Sequence, residues 1–122
     1  MTEQADLTWH LDMEAHFQMS RILLQELELE SGVTVTCFIT SGPEAGLTFH
    51  ARTPHEGGRA GMVTVARDVV RQGGLAGVRP ALAYLLRAAG LGLLPRATRL
   101  EPTPVIGMWS VAGARLDIKL LD

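Results

Sequence analysis

The sequence predicts an α+β fold: a single antiparallel sheet with helices packed on it, in the order α-β-β-α-α-β-β. Three observations lead there. Apolar residues recur at helical spacing over 13–30, 62–72 and 78–89. Stretches of alternating or β-branched residues occupy 33–40, 47–52, 105–111 and 115–120. Glycine and proline punctuate the boundaries between them. With 47% hydrophobic and 20% charged residues, the chain is rich enough in apolar surface to fold, and 1–122 reads as one domain.

The elements follow in order. Leu7, Trp9 and Leu11 alternate with Thr8, His10 and Asp12, which suits a short strand or an early helical turn. Asp12 is a good cap for a helix from Met13 to about Glu30. On that helix Met13, Phe17, Ser20, Leu24 and Leu27 share one face. Ala15, Met19, Ile22 and Leu29 form a second apolar stripe nearly opposite, and Glu14, Gln18, Arg21, Gln25 and Glu28 make the polar arc. A helix apolar on two sides is sandwiched, so Met19, Ile22 and Leu29 are candidate interface residues with a second subunit. A hairpin turning at Ser31 and Gly32 competes with the end of this helix; the unbroken spacing from Met13 favours the helix.

Val33, Val35, Cys37 and Ile39 then share one face of a strand, with Thr34, Thr36, Phe38 and Thr40 on the other. A turn over 41–46 leads to a strand with Leu47, Phe49 and Ala51 on one side and Thr48, His50 and Arg52 on the opposite side. The two should pair as an antiparallel hairpin. Residues 53–58 form a loop. Met62, Val65, Ala66, Val69 and Val70 fall on one arc of a helix ended by Gly73 and Gly74. Pro80 suits the first turn of the next helix, whose buried side is Val78, Leu82, Leu85, Leu86 and Ala89 and which stops at Gly90. A short strand can occupy 97–101. Val105 to Val111 is apolar on both faces, as in a central strand covered on both sides, and Leu116, Ile118 and Leu120 alternate with Arg115, Asp117 and Lys119 in a last strand.

The net charge of −2 is unevenly spread. Residues 1–58 hold nine acids and two bases, whereas 59–99 hold seven arginines and one acid, Asp68. Arg59, Arg67, Arg71, Arg79, Arg87, Arg96 and Arg99 are therefore candidate anion-binding residues. Packing of the basic half on the acidic half, within one chain or between two copies, also explains the split and is the preferred reading, because exposed charge runs are weak functional signals. Ten arginines against one lysine, with no asparagine, match a GC-rich bacterial genome. The acidic N-terminus lacks a signal peptide's pattern, and a single cysteine fits a reducing compartment, so a cytoplasmic location is expected. No apolar run reaches the roughly 18 residues of a membrane span, and no membrane partner is expected.

No motif carries catalysis. The glycines at 73, 74 and 77 precede a helix, as in phosphate-binding turns, but they follow a helix rather than a strand, and Pro80 removes a donor. As a DNA-reading helix-turn-helix, the second helix offers outward only Tyr84 and Arg87. The four histidines lack metal-ligand spacing. Cys37 alternates with core valine and isoleucine rather than sitting in a basic cleft. The expectation is a small module for protein–protein contact or regulation, acting as a homodimer without cofactor or metal; an enzyme site assembled from His50, His55 and nearby carboxylates is a third reading that no residue spacing supports. Anion or nucleic-acid binding through 59–99 is the alternative.

Overall fold

A computed structural model of the chain describes residues 17, 18, 20–22, 24, 25, 35–40, 46–52 and 58–117. Residues 17–25 contribute helical backbone at each described position. There follow strands β1 (Val35–Thr40), β2 (Gly46–Arg52) and β3 (Ala60–Ala66), helices α1 (Arg67–Gly73) and α2 (Leu75–Gly90), and strands β4 (Val105–Ser110) and β5 (Gly113–Leu116). The expected strand at 7–11, the outer parts of the 13–30 helix, the 41–45 turn, the 53–57 loop and residues 118–120 lie outside the described residues.

The class is α+β, but the sheet is mixed and the element order differs from the one the sequence predicts. The sheet runs β1-β2-β3-β4-β5, with β3 and β4 parallel and every other pair antiparallel. The parallel pair has a simple cause. Helices α1 and α2 stand between the two strands and carry the chain back to the starting end, which only a crossover connection can do.

The expected helix over 62–72 is a strand followed by one short helix. Met62, Val65 and Ala66 do fit a helical arc, but Val63 belongs to neither arc. In the strand, Val63 and Val65 both point into the core and are fully buried, while Met62 and Thr64 point to the opposite face. Val63, Thr64 and Val65 are consecutive β-branched residues, stiff at χ1 and well suited to a pleated surface. Helix begins only at Arg67 and ends at Gly73, and Gly74 (φ 54°, ψ −133°) turns the chain into α2. Pro80 is then six residues inside α2 rather than in its first turn.

The hairpin of β1 and β2 has the expected faces. Cys37 pairs with Phe49 and Phe49 with Val63; Ile39 pairs with Leu47 and Leu47 with Val65. These rows form the core face, against which Val70, Val78, Ala81, Leu82, Leu85 and Leu86 pack. The amino-terminal helical segment covers the β1 side of the same face through Phe17 and Leu24, with the fully buried Ser20 between them. Its Gln18, Arg21 and Gln25 are exposed, as the polar arc requires.

On β4 a bulge inserts Ile106, because Met62 pairs with Val105 but Val63 with Gly107. A Cβ on Gly107 would lie 2.6 Å from the Trp109 ring, so glycine lets the indole lie along the strand and meet Tyr84 edge-on at 5.5 Å. The expected cover on both sides of β4 is absent among the described residues: Val105 and Met108 are half-buried on the helix-free face. Residues 97–101 are not a strand. A turn closes there between Thr98 and Glu101, preceded by an isolated bridge between Arg59 and Arg96.

Candidate functional site

Period-two alternation gives each strand a second set of side chains, and no described helix covers them. Register stacks them in two rows across the sheet. Thr36, His50, Met62 and Val105 form one; Phe38, Thr48, Thr64, Met108 and Arg115 form the other. Between the rows lies a concavity of about 540 Å³, within the range of ligand-sized clefts. Its walls are apolar, from Phe38, Met62, Val105 and Met108, with threonine hydroxyls and one imidazole as the polar groups.

The electrostatics of this hollow are mild. His50 lies against Phe38, ring centroids 4.8 Å apart. Burial, reinforced by the Arg52 charge nearby, holds its imidazole below the usual 6.5, so it is neutral at pH 7. Among the described residues no carboxylate lines the concavity, and Arg52 and Arg115 stand beside it on β2 and β5. Arg52 donates from Nη2 to Thr103 Oγ1 at 3.2 Å. Thr48 is buried at the floor. Two methionines and a phenylalanine on an otherwise threonine-rich face make an adaptable apolar surface.

A second, smaller hollow of about 260 Å³ lies between the amino-terminal helical segment and β1, beside Arg21 and Cys37. Burial pushes the Cys37 thiol up to about 12, with Arg21 offsetting only part of the effect. A thiol so disposed is neutral at physiological pH and is a packing residue, as its alternation with Val35 and Ile39 implies. Among the described residues, no three of His, Cys, Asp and Glu come together to hold a metal.

The seven arginines do not share one surface. Arg59 and Arg96 face each other at the end where β3 begins, and Arg87 and Arg99 belong to the same end. Arg67 and Arg71 lie beyond the other end of β3, roughly 20 Å along the strand, and Arg79 is in the first half of α2. Of the candidate interface residues, Ile22 is 60% exposed on the flank of the helical segment away from Phe17 and Leu24. Met19 and Leu29 lie outside the described residues. The glycines at 74 and 77 form a corner between helices: a Cβ on Gly77 would lie 2.8 Å from the Val69 carbonyl oxygen.

Sequence reasoning placed Phe38 with the threonines and His50 with Thr48, which is the surface found here, but Met62 and Thr64 were assigned to a helix and Met108 to a covered strand. The missed signal is the β-branched run Val63, Thr64 and Val65, which suits a strand. Comparison of the chain with protein-family models, with curated proteins and with solved structures finds no match.

Proposed function

We propose that the protein is a non-catalytic protein–protein interaction module that works as a homodimer. The observation that carries the partner-binding part of this reading is the concave, apolar face of the sheet, which no helix among the described residues covers. An apolar face of this kind costs solvation free energy unless something covers it. A hollow does not pack well on a two-fold copy of itself, because two concavities enclose a void. The surface therefore suits a foreign apolar segment, and an acidic neighbour in that segment would meet Arg52 or Arg115. Self-association is assigned instead to the exposed flank of the amino-terminal helical segment that carries Ile22.

Selection from a random-peptide library on the immobilised protein tests the partner surface. Apolar sequences should be enriched, and their affinity should drop by roughly tenfold or more on Met108→Arg, which places a charge in the hollow. No enrichment, or equal binding to the variant, contradicts the reading. Circular dichroism on Met108→Arg verifies that the half-exposed position has not cost the fold.

A further inference from the structure

We infer that the end of the molecule formed by the α2 terminus and the loop after it is a docking surface for an anionic lipid bilayer. The loop is held in place by the fold. Leu91 and Leu93 donate their N–H groups to the carbonyls of Arg87 and Ala88, at 3.0 and 2.8 Å. Leu94 is fully buried beside Gly61. The Pro95 carbonyl accepts from the Ala60 N–H at 3.0 Å, and Arg59 Nη1 donates to the Leu94 carbonyl at 2.7 Å. Beyond this strap, Thr98 and Glu101 close a turn through two hydrogen bonds, which sets Arg99 and Leu100 at its apex.

What the strap presents is both apolar and basic. Leu100 is 99% exposed, Leu91 59% and Leu93 42%. Arg59, Arg87, Arg96 and Arg99 are exposed around them, and Arg52 lies at the same end. Among the described residues the carboxylates at this end are Glu101 and Asp117, and Arg96 and Arg99 lie on the exposed side of the strap beside Leu100. An anionic bilayer satisfies both features: leucines enter the boundary between headgroups and acyl chains, while guanidinium groups pair with lipid phosphates. A nucleic acid would satisfy the arginines alone. Residues 87–101 hold no aromatic residue to stack on a base and no asparagine or glutamine to read one. Leu100 at the turn apex is almost wholly exposed, which suits insertion into a deformable surface. No helix among the described residues is long and apolar enough to cross a membrane, and docking at the surface requires none.

Flotation with vesicles of equal phosphatidylglycerol and phosphatidylcholine, at about 50 mM salt, is the test. The wild-type chain should float with them, should not float with pure phosphatidylcholine, and should release as salt rises. Leu100→Ser should weaken binding roughly tenfold, and the double change Arg96→Glu with Arg99→Glu should weaken it by at least about tenfold. Arg71→Glu, at the far end of β3, should leave binding unchanged. Absence of flotation, wild-type binding by Leu100→Ser, or equal damage from Arg71→Glu overturns the proposal. So does tighter binding to a duplex DNA that ignores Leu100→Ser. None of these positions belongs to the hollow or to the Ile22 flank, so this inference and the interaction reading fail separately.

Discussion

Cys37 and His50 lie on adjacent strands and face opposite sides of one sheet. Cys37 turns toward the helices, where burial keeps its thiol protonated. His50 turns toward the hollow and is held neutral by partial burial and by Arg52. The folded pKa of His50 lies below 6.5, so as pH falls past that value the unfolded chain binds the proton first. The stability that the neutral imidazole permits is present above pH 6.5 and is lost between 6.5 and the folded pKa. Urea denaturation at pH 7.5 and pH 5.5 should therefore show a smaller acid loss for His50→Gln than for wild type, by less than about 1 kcal/mol given the partial exposure of the ring. Identical pH dependence in the two proteins would refute the assignment.

β3 separates two readings of the same residues. As a strand it buries Val63 fully and leaves Thr64 half-exposed; the helical arc assigns Val63 no core contact. Val63→Ala should cost about 2 kcal/mol in chemical denaturation, and Thr64→Ala under about 1 kcal/mol. Comparable small losses at both would favour the helix. Much of the fold was legible nonetheless. The β1–β2 hairpin, the inward set Phe17, Ser20 and Leu24, the stop at Gly73 and Gly74, and the buried side of α2 all follow from local periodicity and turn chemistry. The parallel pairing of β3 with β4 was not legible, because it depends on the chain returning across the sheet after two helices. Residues 62, 65, 66, 69 and 70 also satisfy a 3.6-residue period by chance, since strand spacing before Ala66 runs into helical spacing after it. The hollow was half legible: the faces of β1 and β2 were assigned correctly, but its other wall needed β3 as a strand and β4 uncovered on one side among the described residues.

At the scale of the whole molecule, the described helices are gathered on one face of the sheet, and among the described residues the apolar side chains of the other line a concavity. The arginines that the sequence crowds into 59–99 are divided between the two ends of β3, so their density along the chain does not become one basic surface. The proposed work is divided accordingly: the Ile22 flank for self-association, the hollow for a partner, the leucine and arginine end for a bilayer. Light scattering behind size-exclusion chromatography, on wild type, Ile22→Asp and Met108→Arg at roughly 50 µM, tests the first two assignments together. The expected masses are twice the 13.2 kDa of the chain for wild type and Met108→Arg, and the single-chain mass for Ile22→Asp. A monomeric wild type contradicts the dimer, and a dimer dispersed by Met108→Arg contradicts the assignment of the hollow to a foreign partner.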